Sequence, residues 1–255
     1  MATAEVKGAR LWYDEAGDGP AVLLVHGGLG DSGLWEPVVP FLAERFRTIR
    51  TDLRFFGRSS GPNAPWAWHE DLVGVLDDLD IEQAALVGLS LGGRIAIEVA
   101  LAHPERLAAL ALVAPGLAGH DGAAYTAEQV ERYEVAEAEH HLAAAMAIDF
   151  EVWAPLGVDE RMEELWYSTP DANPLPAGIE PLSPAGPPAK ERLGELSVPT
   201  LVVTVSHDPE GFREIGPLIA AAAPNARHVE LDSDHYVTLR EPELVARTIA
   251  EFLQE

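Results

Sequence analysis

Short apolar runs that do not alternate with polar residues, each closed by a turn and followed by helical spacing, constrain this chain most. Ala21-Val22-Leu23-Leu24-Val25 ends in His26-Gly27-Gly28, and Thr48 to Asp52 closes in Asp52-Leu53-Arg54. Ala84 to Val87 runs into Gly88-Leu89-Ser90-Leu91-Gly92-Gly93 and then a helical pattern to about Ala102. Leu107 to Val113, Leu201 to Val205 and His228 to Leu231 continue the series. Between them Leu72, Val75, Leu76 and Leu79 recur on one helical face, Phe212 to Ala223 reads as a helix, and Val245, Thr248, Ile249 and Phe252 line a closing helix. Strands apolar on both sides must be buried on both faces, and the intervening helices supply the cover. The prediction is an α/β fold, a mostly parallel central sheet with helices on both faces.

That rhythm stops between about Gly116 and Lys190. Thr126 to Ile148 is rich in Ala and Glu and holds no Pro, so it is predicted helical. Beyond it, Pro170, Pro174, Pro176, Pro181, Pro184, Pro187 and Pro188 bar any long helix. A structureless connection of this length is unusual in a compact domain. The organisation expected is therefore a core of residues 1–115 and 191–255 with a helical cap inserted at 116–190.

Composition narrows the partners. The chain has 255 residues and a formal charge of −25, from 42 acidic against 17 basic residues. Such a field repels phosphate backbones and anionic membranes, so neither nucleic acid nor membrane is expected as a partner. No apolar run approaches the roughly 20 residues that cross a bilayer, and Met1 to Arg10 lacks the apolar core of a secretory signal. A cytoplasmic location is expected. Without Cys there is no disulfide framework or thiolate metal site. Nothing in the spacing implies a metal or cofactor: G-x-G-x-x-G and a phosphate loop with a following Lys are missing, and His140-His141 are adjacent on a predicted helix, pointing apart. The oligomeric state stays open.

Gly88-Leu89-Ser90-Leu91-Gly92 fits G-x-S-x-G between a predicted strand and a predicted helix. There a serine sits on a sharp, strained turn whose neighbours must lack a bulky Cβ, which lifts its Oγ above the sheet. A serine hydroxyl needs a base, and the base an orienting carboxylate. His235 follows the strand His228 to Leu231, and Asp208 is the first carboxylate beyond Leu201 to Val205. Both therefore fall at the carboxyl edge of the sheet, where sites of open α/β folds collect. Asp232 and Asp234 flank His235 too closely in sequence to back it easily. The amides of Gly28 and Leu91 are the natural pair to hold an oxyanion, Leu91 also opening a helix. His26 reads as a structural histidine bonded to loop backbone.

Together His26-Gly27-Gly28, Asp52-Leu53-Arg54 with Gly57-Arg58-Ser59, Gly88 to Gly93, His207-Asp208 and Asp234-His235 resemble the α/β-hydrolase superfamily. The chain looks most like small bacterial esterases, enol-lactonases, cofactor-free perhydrolases and carbon–carbon bond hydrolases. The resemblance implies Ser90 as nucleophile, His235 as base, Asp208 as orienting acid, Gly28 and Leu91 as oxyanion donors, and a cap that shapes the pocket. It also exposes departures. Relatives usually read D-x-R-G-x-G-x-S, whereas Phe55-Phe56 follows Arg54 here. Asp234 stands where glycine is common before the histidine, and its charge is expected to raise the base's pKa. Ser206 replaces a glycine before the acid.

The expected activity is serine hydrolysis of a small-molecule carboxylic ester or lactone through an acyl-enzyme. Trp35, Phe55, Phe56, Trp153, Trp166 and Tyr167 are candidates for an apolar pocket or for plain packing. The residues leave three alternatives open: a carbon–carbon bond hydrolase, a perhydrolase, and a ligand-binding protein on the same scaffold.

Overall fold

The computed structural model describes residues 2–170 and 181–255. Its eight strands are β1 (Ala2–Val6), β2 (Ala9–Ala16), β3 (Ala21–Val25), β4 (Arg47–Thr51), β5 (Ala84–Leu89), β6 (Leu107–Val113), β7 (Thr200–Val205) and β8 (Ala226–Leu231). They form one sheet in the order β1-β2-β4-β3-β5-β6-β7-β8. β2 runs against both of its neighbours, and every pairing from β4 across to β8 is parallel.

Alternate residues of the apolar strands enter different cores, which is why these strands read as continuous apolar runs. Leu23 and Val25 join Leu86, Leu110, Leu112 and Val202 on one face. That face is covered by α2 (Trp68–Asp78), α3 (Leu91–Ala102) and α8 (Ile215–Ala222) through residues such as Leu72, Val75, Ile95, Val99 and Ile219. Val22 and Leu24 join Ala85, Val87, Ala111, Val113 and Val203 on the other face. Its cover is α1 (Val39–Leu42) and α10 (Pro242–Leu253), by Leu42, Val245, Ile249 and Phe252.

Between β6 and β7 the chain leaves the sheet and forms α4 (Ala127–Ala138), α5 (Leu142–Trp153) and α6 (Glu160–Trp166). The predicted single helix from Thr126 to Ile148 is in fact broken. Thr126 starts α4 with a capping box to Gln129, and His140 takes a φ of 52° where α4 ends. His140 and His141 therefore occupy a turn and a helix start rather than one continuous helix. Of the prolines expected to bar a helix, Pro174 and Pro176 lie outside the described residues. The predicted helix from Phe212 is also two, α7 (Glu210–Arg213) and α8, and α9 (Val237–Arg240) precedes α10. Among the described residues no helix is long and apolar enough to cross a membrane.

The strand order sets the place for a site. β3 has β4 on one side and β5 on the other, so the chain changes direction across the sheet between β3 and β5. Loops leaving the carboxyl ends of such a pair diverge and leave a crevice. Those loops are His26-Gly27-Gly28 and the turn at Ser90.

Candidate active site

Ser90 sits between β5 and α3 with φ 53° and ψ −113°, a conformation costing a non-glycine residue on the order of 1–3 kcal/mol. Its neighbours hold it there. The Ser90 N–H donates to the Val113 carbonyl at 2.9 Å, and its carbonyl accepts from the amides of Arg94 at 3.0 Å and Gly116 at 2.9 Å. Two glycines make the turn sterically possible. A Cβ on Gly88 would lie 2.3 Å from the Gly92 oxygen, and one on Gly92 would lie 2.4 Å from the Val25 oxygen. The side chain at 90 is half-buried.

The β3 loop lies against this turn. A Cβ added to Gly27 would come within 3.2 Å of the Ser90 Cβ, and one added to Gly28 within 3.8 Å of the Leu91 Cβ. The structure thus brings Gly28 beside Leu91, whose amide belongs to the first turn of α3, where backbone donors have no intrahelical acceptor. His26 fixes the loop from beneath. The Leu53 N–H donates to its Nε2 at 2.9 Å, so the ring proton resides on Nδ1, which donates to the Gly27 carbonyl at 2.8 Å. Complete burial pushes the His26 pKa down, against the pull of the nearby Asp52 carboxylate. A neutral, doubly bonded imidazole suits a structural histidine.

Asp52 ties the next loop down. It accepts from the Ser32 amide at 3.0 Å and from the Arg58 amide and Nε at 2.9 and 2.8 Å. Burial works against its charge, yet the hydrogen bonds from Arg58 and Ser32 hold its carboxyl below the usual carboxylate range. Arg54 turns the other way and makes a bidentate pair with Asp71, at 2.8 and 2.6 Å, both side chains buried. Between them Phe55 keeps a φ of 72° although it is not glycine, and packs edge-on against Trp66 with centroids 4.8 Å apart.

At the far side of the crevice His235 Nδ1 donates to the Asp208 carboxylate, 3.0 Å from Oδ1 and 2.9 Å from Oδ2, with both side chains buried. The other acids near this histidine are engaged elsewhere. Asp232 accepts from the Ser206 hydroxyl at 2.8 Å and pairs with His207. Asp234 was expected to add its charge to the imidazole. Instead it is paired with Arg240, whose Nε and Nη2 donate at 2.6 and 2.8 Å, and it accepts from the Tyr236 and Leu156 amides. The guanidinium compensates the charge that a glycine would not have brought.

The aromatic candidates separate. Trp35, Trp166 and Phe56 are buried in the cores. Phe55 is half-buried against Trp66, and Tyr167 is exposed. Trp153, at the end of α5, packs on His235 itself with ring centroids 4.3 Å apart, and Phe212 approaches the same ring at 5.7 Å. Three residues that sequence reasoning did not single out matter here. Arg240 holds Asp234 and also reaches the Gly157 carbonyl in the α5–α6 connection. Tyr125 and Asp149 hold Trp153 from behind: the indole Nε1 donates to the Tyr125 hydroxyl at 2.7 Å, and that hydroxyl donates to Asp149 at 2.6 Å. The available signal was Asp149 four residues before a tryptophan in an otherwise mostly apolar helix, whose other carboxylate, Glu151, is exposed and paired with Arg132.

Comparison with known proteins agrees with this architecture. The family described as the alpha/beta hydrolase fold matches residues 20–242. A protein of Azorhizobium caulinodans named as the carbamate hydrolase RutD is 30% identical over 234 residues, 88% of this chain and 87% of that one. Carboxylesterase CesB of Bacillus subtilis superposes with a TM-score of 0.81 at 20% identity, over 98% of this chain and 90% of the other. The enol-lactonase of Burkholderia xenovorans LB400 gives 0.69 at 24% identity, over 99% and 100%.

Proposed function

Since the chain belongs to the alpha/beta hydrolase fold family, we propose that this hydrolase cleaves carboxylic esters or lactones with Ser90 as nucleophile, His235 as base and Asp208 as orienting acid. One observation carries the reading. A serine held in a strained strand–turn–helix conformation shares the carboxyl edge of the sheet with a buried, carboxylate-backed histidine.

The chemistry follows from the atoms. With Nδ1–H given to Asp208, the unprotonated Nε2 of His235 takes the Ser90 proton as Oγ attacks the carbonyl carbon. The carbonyl oxygen gains the negative charge and is held by the amides of Gly28 and Leu91. The tetrahedral adduct expels the alkoxide, which takes the proton from His235, and water then repeats the sequence on the acyl-enzyme. With a lactone the expelled alkoxide stays attached to the acyl chain, so water releases a single hydroxy acid from the acyl-enzyme. Residues 116–190 act as the cap, and among its described residues Trp153 packs on the base. The relative matched over 88% of this chain is named for carbamate hydrolysis. The same tetrahedral step serves a carbamate, so one belongs in the substrate panel.

Hydrolysis of p-nitrophenyl acetate, butyrate, octanoate and a p-nitrophenyl carbamate by wild type and Ser90→Ala tests the reading. The variant should lose several orders of magnitude in turnover, on the order of the 10⁶ known for removal of a triad serine. A loss of only a few-fold would rule out this mechanism.

A further inference from the structure

Trp153 packs against His235 with the two ring planes tilted by 45°, and a buried carboxylate in the cap helps to keep it there. Asp149 and Trp153 lie four residues apart on α5 and so share a face of that helix. Asp149 accepts from the Tyr125 hydroxyl and from the Trp166 indole, each at 2.6 Å, and Tyr125 accepts from the Trp153 indole at 2.7 Å. Burial, reinforced by the Asp149 charge, pushes the Tyr125 pKa up, which keeps its hydroxyl protonated and donating. Every donor in this chain points toward the carboxylate. Electron density is drawn toward the indole, and the plane of the ring is fixed.

We propose that Trp153, oriented by Tyr125 and Asp149, is a positioning residue for the base, stabilising the imidazolium that His235 becomes when it takes the serine proton. The inference rests on the serine-hydrolase reading above. A cation over the face of an indole, within about 6 Å of its centroid, is attracted by the ring's quadrupole, most strongly where water is excluded. Both rings are buried, and their centroids are 4.3 Å apart. Among the described residues, the other groups beside His235 have their own partners or carry no charge. Asp208 on the β7 loop bonds its Nδ1, Phe212 on α7 is uncharged, and Asp234 on its own loop is turned to Arg240. Trp153 therefore acts on the opening chemical step and leaves substrate capture to other residues.

The experiment compares wild type, Tyr125→Phe and Trp153→Phe in three readouts: the rate at which an organophosphonate inactivates Ser90, the acid limb of kcat/KM, and KM for p-nitrophenyl acetate. Phenylalanine keeps the space filled, so water is not admitted. Inactivation should slow by about three- to tenfold in Trp153→Phe, whose phenyl face is a weaker partner, and by less in Tyr125→Phe, which keeps the indole but frees its orientation. The acid limb should move to lower pH, because the less well supported imidazolium releases its proton more readily, and KM should stay within about twofold. Folded variants with wild-type inactivation rates and an unmoved acid limb overturn the proposal, even if their Tm has fallen. Should Tyr125→Phe fail to fold, Trp153→Phe decides alone. A wild type that the phosphonate does not label overturns the serine reading itself, which separates that failure from this one.

Discussion

The loops of the sheet and the helices inserted between β6 and β7 hold their functional side chains by different means. Ser90 is held by its own backbone, with its amide on Val113 and its carbonyl on Arg94 and Gly116. His26, Gly27 and Asp52 also work through main-chain amides and carbonyls. In the insertion the order comes from side chains: Trp153 on Tyr125, Tyr125 on Asp149, and Trp166 on Asp149. Backbone restraints tolerate many side chains and demand a few small ones. A side-chain relay demands each member, and can be rebuilt with other members when the substrate changes. The sheet edge is thus ordered by its backbone, and the insertion by a relay of side chains.

The largest break in that comparison comes on the sheet side. Asp208→Asn should leave the fold intact, since Asn fills the same space, yet lower kcat by about 10⁴-fold because the imidazole loses its orienting anion and the right tautomer. Steady-state kinetics beside a melting curve checks it. A variant retaining a tenth of wild-type turnover would show that another acid backs His235.

Next in size is the joint between the two regions. Arg240 pairs with the fully buried Asp234 and donates to Gly157, so it ties the α5–α6 connection to the histidine loop. Arg240→Met leaves the carboxylate buried without its cation and should cost about 3 kcal/mol in chemical denaturation. Adding Asp234→Leu should recover much of that loss, since it removes the stranded charge. Failure to recover would mean that the Gly157 contact, or the Tyr236 and Leu156 amides that Asp234 also holds, supports the joint rather than the ion pair.

The core was readable in the sequence because its signal is local. The runs at Ala21, Ala84, Leu107 and Leu201 are strands apolar on both sides, and the glycines at 88 and 92 mark close backbone contact. Asp208 and His235 follow from their positions after strand ends. What escaped is set by contacts distant in sequence. Nothing near Asp149 announces Tyr125, which lies 24 residues earlier, and nothing near Asp234 shows that Arg240 takes its charge. The break at His140 escaped for another reason: no Gly or Pro marks it, and the residue simply adopts φ 52°.

Within the insertion, Trp166→Phe removes one donor to Asp149 and keeps most of the ring. It should destabilise the protein by about 1–3 kcal/mol, the cost of a buried charge-assisted hydrogen bond. Activity should fall less than in Tyr125→Phe, because Trp166 does not bond Trp153. Equal losses would show that Asp149 acts through its charge on the whole cluster and not through the relay.

Acid should find the sheet side first. The folded Asp52 carboxyl lies below its usual range, so it contributes stability that is in place above the unfolded value of about 3.9 and is lost as pH falls through the folded one. Asp71 is the counter-case in the same loop region. Burial pushes its pKa up despite Arg54, so its charged form detracts from stability as pH rises past the unfolded value. Asp52→Asn should therefore flatten the fall of Tm below about pH 4, and Asp71→Asn should not. A parallel fall in both variants would assign the acid lability to other carboxylates.

The smallest effect concerns Phe55, where the sheet side carries a bulky residue in a backbone conformation suited to glycine. Its φ of 72° costs about 1 kcal/mol for a residue with a Cβ. Its edge-on contact with Trp66 returns about 0.5–1.5 kcal/mol. Phe55→Gly relieves the first and forfeits the second, so the stability change should stay within about 1 kcal/mol of zero. Phe55→Ala forfeits the packing and keeps the strain, and should be less stable than Phe55→Gly by about 1 kcal/mol. Urea denaturation of the pair isolates the backbone cost, because both variants lack the ring. If alanine proves as stable as glycine, the loop has relaxed out of the positive-φ region, and the phenyl ring was holding the backbone there against Trp66. That outcome would make Phe55 a side-chain-held element on the sheet side, built in the manner of the insertion.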